Sequence, residues 1–303
     1  MPWFDTFDAI VPQRFPGMEI GKEEPMDRHT TFRVGGPARR FVRPGSEEAC
    51  GALLELAEAQ AWPVLVVGNG SNLLVSDEGL DRLVIHTGGL DSLERTGERT
   101  IRAGAGVSLA RLASFAQKEG LGGLEFAHGI PGSLGGAVFM NAGAYGGEMK
   151  QVLSSVAAWF PGGGVKEIPA CGLELGYRRS IFSSREGAVL AAEIALEPRE
   201  AGEIRDRMEE LGRRRREKQP LEFPSAGSTF KRPEGHFAGG LIDQCGLKGF
   251  RIGGAQVSEK HAGFVINAGG ATCADVLALI GHIQKTVRER TGVELETEVK
   301  ILR

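Results

Sequence analysis

Tyrosine is scarce: there are two in 303 residues, Tyr145 and Tyr177, and none lies between Arg178 and Ser228. Cysteine is nearly as rare. The four thiols, Cys50, Cys171, Cys245 and Cys273, are widely spaced and form no C-x-x-C pair. That pattern excludes a zinc ribbon or a disulfide framework, so no metal site is expected and the thiols read as small buried apolar side chains. No apolar run approaches the roughly 20 residues that span a bilayer. Residues 1–13 mix acids with aromatics and lack the basic start and apolar core of a secretory signal, so cytoplasmic residence is expected and no membrane partner. Excess charge is also missing. Lys and Arg number 36 against 39 Asp and Glu, a net charge of -3, which argues against nucleic-acid binding through bulk charge.

Glycine, by contrast, is abundant: 45 residues, about twice ordinary usage. The glycines cluster between apolar runs, as they do where backbone turns sharply or approaches a ligand. Around them, helical spacing predicts helices over 46–61, 109–119, 201–216 and from 272 to near Gly292, with Ser46 and the Thr272–Asp275 pair as caps. Short apolar runs predict strands at 64–67, 83–86, 101–103, 156–160, 165–168, 189–196 and 293–302. Residues 1–30 read as irregular, and 219–270, rich in Gly and Pro, begin a second unit. Helices and strands alternate loosely, which predicts an α+β fold.

Two glycine segments carry the cofactor signal. In Val64-Leu-Val-Val-Gly-Asn-Gly-Ser-Asn-Leu-Leu-Val75, a strand runs into a polar turn whose successive N–H groups, beside Ser71 and Asn72, could cradle an anion. The nicotinamide dinucleotide fingerprint does not fit, because Leu73 stands at its third glycine and the following segment reads as extended. Taken alone, the turn fits a plain glycine hairpin as well as a phosphate site. The second segment, Gly129 to Gly147, includes Gly129, Gly132, Gly135, Gly136, Gly143, Gly146 and Gly147. A loop this rich in glycine is entropically costly, and it offers Ser133, Asn141 and Tyr145 as donors to a flat ligand.

Three further stretches supply reactive groups. Tyr177-Arg-Arg-Ser180 brings guanidinium, Pro224-Ser-Ala-Gly-Ser-Thr-Phe230 brings the hydroxyl of Ser228, and Leu295-Glu-Thr-Glu-Val299 brings carboxylates. Brought together by the fold, they could hold a carboxylate substrate and protonate a carbanion. Each also has a plain structural reading. Ser228 could bond its own turn, the arginines could form ion pairs, and Glu294 and Glu296 could be solvated strand acids.

Thr31-Phe-Arg-Val-Gly-Gly-Pro37, Gly68-Asn-Gly-Ser-Asn-Leu73, Gly129 to Gly147, Tyr177-Arg-Arg-Ser180, Ala226-Gly-Ser-Thr-Phe230 and Leu295-Glu-Thr-Glu-Val299 together resemble the UDP-N-acetylenolpyruvoylglucosamine reductase family, in order and over nearly the whole chain. The resemblance implies two FAD-binding subdomains of the vanillyl-alcohol-oxidase (PCMH) type, at 1–88 and 89–200, and a substrate-binding domain at 201–303 whose last strand returns Glu298 to the site. It implies non-covalent FAD, with NADPH as co-substrate and UDP-N-acetylglucosamine enolpyruvate as the molecule reduced. It implies FAD contacts at Arg33, Gly68, Asn69, Gly70, Ser71, Asn72, Leu73, Gly129, Pro131, Gly132, Ser133, Gly135, Gly136, Asn141, Ala142 and Gly143. Catalytic roles fall to Arg178, Ser228 as proton donor, and Glu298, the second acid of its motif. Tyr177, Lys218, Arg232 and His261 match substrate contacts, the last two differing from the residues usual in the family. The chain resembles the family's short form, which lacks an inserted loop bearing a tyrosine. A monomer is the working expectation. The competing readings are an FAD-dependent alcohol or lactone oxidase on the same scaffold and a nucleotide-binding module without activity.

Overall fold

Capping side chains fix where the long helices begin. Ser46 accepts the Ala49 N–H at 3.1 Å and opens the helix Glu47–Ala59. Ser108 accepts the Arg111 N–H at 3.2 Å and opens Leu109–Lys118. Thr272 and Asp275 cap each other's backbone at the start of Cys273–Thr291, and that helix ends on Gly292 at φ 73°, a left-handed position that suits glycine. The computed structural model describes residues 2–303.

The chain divides into two units. The first contains Met1–Lys22, Arg39–Asn69 and Asp81–Arg213. It has a four-stranded sheet of order Glu19–Pro25, Pro37–Arg43, Leu80–His86, Val64–Val67, the last two strands running parallel. It also has an antiparallel five-stranded sheet of order Gly164–Pro169, Leu153–Phe160, Ala188–Ala195, Thr100–Gly104, Leu93–Arg95. The buried face of Glu47–Ala59 (Leu53, Leu54, Ala57) and that of Leu109–Lys118 (Leu109, Leu112, Ala113, Ala116) share one core with Ile101, Ala103 and Val156.

The second unit contains Glu23–Ala38, Gly70–Leu80 and Arg214–Arg303. Its core is built on Val276, Leu279, Ile280, Ile283 and Val287 of Cys273–Thr291, joined by Phe32, Val34 and Leu74 from early in the chain. An antiparallel sheet of Arg251–Ile252, Ala255–Val257 and Val265–Asn267 belongs to it. So does a parallel pair, Leu73–Val75 with Lys300–Leu302.

Several elements differ from the sequence-based expectation. Residues 3–14 form a helix, Trp3–Arg14, and Glu19–Pro25 a strand, where irregular chain was expected. Pro12 inside the helix hides it from local reading. Tertiary packing holds it: Phe7 and Val11 are fully buried, and the Trp62 Nε1–H donates to Thr6 Oγ1 at 2.9 Å. The final strand is short, Lys300–Leu302. The chain passes from the first unit to the second within the helix Ala201–Lys218. Cys171 is exposed, against the expectation of buried thiols, while Cys50, Cys245 and Cys273 are buried. Burial pushes the Cys50 thiol up to about 12 and the Cys273 thiol to about 11. Among the described residues no helix is long and apolar enough to cross a membrane, and no cluster of His, Cys, Asp or Glu could hold a metal ion.

Candidate active site

The turn at Gly68 is not a hairpin. Val64–Val67 pairs with Leu80–His86, whereas Leu73–Val75 pairs with Lys300–Leu302, so the flanking strands belong to different sheets. In the first unit, two hydroxyls lie close to Gly68. Ser133 Oγ and Thr87 Oγ1 are buried, and neither makes a hydrogen bond among the described residues. A Cβ at Gly68 would overlap the Ser133 hydroxyl and stand 3.7 Å from Thr87 Oγ1. An unmade buried hydrogen bond costs about 1–3 kcal/mol, so two at one glycine turn are a donor set awaiting an acceptor. Phosphate or ring oxygens of a dinucleotide would meet that need, and these residues fit FAD. Thr87 was missed in the sequence, where it is one polar residue after an apolar strand.

The run Gly129 to Gly147, expected as a loop, contains the helix Leu134–Met140. Gly129 and Pro131 are exposed and Gly132 is buried. The Leu109 N–H donates to the Gly132 carbonyl at 3.0 Å. Gly135 is required by packing, since a Cβ there would stand 2.9 Å from the Ala105 methyl. Gly136 is exposed on the first turn. Asn141 caps the helix at φ 41° and is 2% exposed. Its side chain is engaged within the protein: Nδ2 donates to Glu148 Oε2 at 2.9 Å and to the Gly176 carbonyl at 3.0 Å, and Oδ1 accepts the Lys150 N–H at 2.9 Å. Ala142 accepts the Met149 N–H at 3.0 Å, and Gly143 pairs with Glu148.

Through the Gly176 carbonyl, Asn141 reaches the arginine turn. Gly176 and Arg179 exchange backbone hydrogen bonds of 2.9 and 3.2 Å, leaving Tyr177 and Arg178 at the tip. Arg178 sits at φ 54°, in a turn position that usually requires glycine. Holding a side chain there costs about 1–2 kcal/mol, and strain of this kind collects at functional sites. The Arg178 guanidinium donates to the Gly143 carbonyl at 3.4 Å and lies 5.5 Å from the ring centre of Tyr177, which is 59% exposed. Arg179 is exposed on the returning arm.

The second unit holds the hydroxyl and the carboxylate. Thr229 and Glu298 lie opposite each other: the Glu298 N–H donates to the Thr229 carbonyl at 2.8 Å, Phe230 bridges Thr297, and the Lys231 N–H donates to the Glu296 carbonyl at 2.8 Å. Ser228 is therefore one residue along the ladder from the partner of Glu298. Both are half-buried, and Ser228 Oγ makes no hydrogen bond among the described residues. Glu296 is exposed and ion-paired with Lys231, which separates the two acids of the motif.

Asn72 joins the same cluster, its Nδ2 donating to the Glu298 carbonyl at 3.0 Å and its own carbonyl accepting the Lys300 N–H at 2.9 Å. Gly70, at φ 59°, lets the turn close on His29, whose carbonyl a Cβ would overlap. Leu73 donates its N–H to the Gly70 carbonyl at 3.4 Å, while Asn69 and Ser71 are half-buried in the same turn. Arg33 stands at φ 54°, and its carbonyl accepts from Asn267 Nδ2 at 3.4 Å.

His261 is linked to the ladder through Gly263, whose N–H it accepts at Nδ1 (3.1 Å) and whose carbonyl takes the Thr229 N–H at 2.9 Å. Burial pushes His261 below its ordinary pKa, with the charge of Lys248 acting in the same direction. Arg232 is exposed, its guanidinium 4.5 Å from the ring centre of Phe237. Lys218 is exposed at the end of Ala201–Lys218, and among the described residues it makes no hydrogen bond or ion pair with the ladder.

Two buried unpartnered hydroxyls at a glycine turn in one unit, and a serine and a glutamate on adjoining positions of a ladder in the other, suit a flavin-dependent oxidoreductase. Comparison with known proteins agrees. Residues 38–168 match an FAD binding domain, and residues 219–302 match the UDP-N-acetylenolpyruvoylglucosamine reductase C-terminal domain. A UDP-N-acetylenolpyruvoylglucosamine reductase of Agathobacter rectalis is 50% identical over 309 residues, covering 98% of each chain. One of Clostridium perfringens is 50% identical over 302 residues, covering 100% of this chain and 99% of its own. The crystal structure of the Thermus caldophilus enzyme superposes with a TM-score of 0.80 at 37% identity, covering 94% of this chain and 99% of that one. The chain belongs to the UDP-N-acetylenolpyruvoylglucosamine reductase family and is an FAD-dependent enzyme of α+β fold.

Proposed function

We propose that the chain reduces UDP-N-acetylglucosamine enolpyruvate to UDP-N-acetylmuramate, using NADPH, in peptidoglycan precursor synthesis. The observation that carries the reading is the ladder that seats Ser228 one residue from the partner of Glu298. Bound at the Gly68 turn, FAD would supply the hydride chemistry, carrying hydride from NADPH to the terminal enolpyruvyl carbon. Negative charge then develops on the carbon bearing the ether oxygen and on its carboxylate. Arg178 holds that carboxylate with a planar guanidinium that stays charged throughout. Ser228 delivers its Oγ proton to the carbon. A serine hydroxyl is a weak acid, but a carbanion-like centre is a strong enough base to take its proton. Glu298 polarises the substrate from the same ladder. Lys218 contacts the nucleotide part, Arg232 and His261 supply further substrate contacts, and Tyr177 stacks on substrate or flavin.

For the cofactor, Ser133 and the Gly68–Leu73 turn meet the phosphates, while Arg33 and the backbone of residues 129–143 meet the remainder. Asn141 contributes through its backbone, since its side chain is already engaged. We place the enzyme in the cytoplasm, working as a monomer.

The test is an anaerobic visible spectrum of the purified protein. NADPH should bleach the flavin, and the enolpyruvyl nucleotide should restore it. Ser228→Ala should leave bleaching intact and slow restoration by about 10²–10⁴-fold. A protein that cannot take up FAD, or one restored only by oxygen, would sink the proposal.

A further inference from the structure

Thr229 ties together three segments of the second unit. It is 3% exposed. Its N–H donates to the Gly263 carbonyl at 2.9 Å, its carbonyl accepts the Glu298 N–H at 2.8 Å, and its Oγ1 accepts the Val265 N–H at 3.0 Å. The N–H, the carbonyl and the hydroxyl oxygen of one residue are thus each engaged, and each reaches a different residue.

What these bonds fix follows from covalent geometry. The Thr229 nitrogen belongs to the peptide plane that includes the Ser228 carbonyl. Anchoring that N–H on Gly263 sets the plane on which Ser228 hangs. The Thr229 carbonyl belongs to the next plane, and it holds the backbone nitrogen of Glu298. The two reactive residues are therefore each one anchored bond away from Thr229.

Upstream, Gly227 at φ 74° gives Ser228 no stiffness of its own. The nearest upstream anchor is Ser225, which bridges Ile266 and whose carbonyl accepts from Thr31 Oγ1 at 2.7 Å. The arc 226–228 is slung between Ser225 and Thr229. A buried Val265 N–H left without its acceptor would be free to shift the strand Val265–Asn267 against that arc.

We propose that Thr229 is a positioning residue, setting Ser228 and Glu298 at the separation that proton delivery requires. This rests on the assignment of Ser228 as proton donor. The hydroxyl is the adjustable part, since the backbone bonds survive most substitutions.

Thr229→Val keeps the branched shape and removes the acceptor, and Thr229→Ser keeps the acceptor. On the FAD-loaded enzyme, Thr229→Val should bleach with NADPH within about two-fold of the wild-type rate, yet be reoxidised by the enolpyruvyl nucleotide at least about ten-fold more slowly. Its solvent isotope effect on reoxidation should rise as protonation becomes limiting. Amide hydrogen exchange at Val265 and Glu298 should quicken by about ten-fold, a readout independent of turnover. Thr229→Ser should restore all three to within about two-fold.

Equal slowing of both half-reactions in Thr229→Val, or reoxidation at the wild-type rate, would overturn the inference. If Thr229→Val does not bind FAD, Thr229→Ser decides: a ten-fold slower reoxidation with the hydroxyl retained would also overturn it. Failure of the wild-type enzyme to be reoxidised by the nucleotide would instead refute the assignment on which the inference rests.

Discussion

The arginine turn of the first unit and the serine–glutamate ladder of the second hold their candidate groups by opposite means. Arg178 stands in a strained conformation at the tip of a tight turn, with its guanidinium on the Gly143 carbonyl and beside an exposed tyrosine. Glu298 and the Thr229 peptide next to Ser228 are held by unstrained ladder bonds of 2.8–2.9 Å. Reach and charge account for the difference. A guanidinium on a long stem can find a carboxylate from an exposed turn, and its charge acts over several ångströms. A hydroxyl on a single carbon must be aimed by backbone, because a proton transfers only within hydrogen-bonding distance.

The sharpest break in this comparison is between the two acids of Leu-Glu-Thr-Glu-Val. Glu298→Gln should lower substrate-dependent reoxidation of the flavin by about 10²–10³-fold at unchanged NADPH reduction. Glu296→Gln removes only a solvated ion pair with Lys231 and should alter stability by less than about 1 kcal/mol, with reoxidation near the wild-type rate. Equal effects of the two substitutions would remove the distinction between them.

Next in size is the strain at Arg178. Arg178→Gly should cost reoxidation about 10²-fold and still leave the protein more stable, by about 1 kcal/mol, because glycine accepts φ 54° without penalty. Thermal and urea unfolding check the gain. A destabilised variant would mean that the turn is held by the arginine's contacts rather than against its conformation.

The candidate flavin cradle divides along the same line. Ser133→Ala removes a buried hydroxyl that lacks a partner, so the FAD-free protein should gain about 1 kcal/mol in stability while FAD binds about ten-fold more weakly. Titration of the FAD-free protein followed by flavin fluorescence measures the affinity. Unchanged affinity would separate Ser133 from the cofactor.

What the sequence could reveal was set by distance along the chain. Ser46, the Thr272–Asp275 box and Gly292 act within a few residues and were legible as caps. Pairing of Leu73–Val75 with Lys300–Leu302 depends on the other end of the chain, so no local pattern shows that residues 70–80 complete the C-terminal unit. The helix Leu134–Met140 was hidden by Gly135 and Gly136, which read as loop but serve close packing on Ala105 in one case and a first-turn surface in the other. Asn141 read as a donor to a ligand because its embedding between Glu148 and Gly176 is a tertiary fact. Thr87 and Thr229 carried no signal at all, since a threonine after a strand or inside a glycine–serine motif is ordinary until its neighbours are known.

The smallest effect concerns the pH response of the ladder through His261. Burial lowers its pKa in the folded protein, and the neutral ring is also the form that can accept the Gly263 N–H at Nδ1. The unfolded chain, with an ordinary histidine near pKa 6.5, therefore takes up a proton before the folded protein does. The stability this supplies is fully present above about pH 6.5 and is lost as the pH falls from there toward the lower folded value. His261→Gln should flatten that portion of the curve. Urea midpoints of the two proteins at pH 8 and pH 5 should show the wild type losing more on acidification. A variant that loses as much as the wild type would detach His261 from the acid response and leave the Gly263 anchor of Thr229 insensitive to protonation.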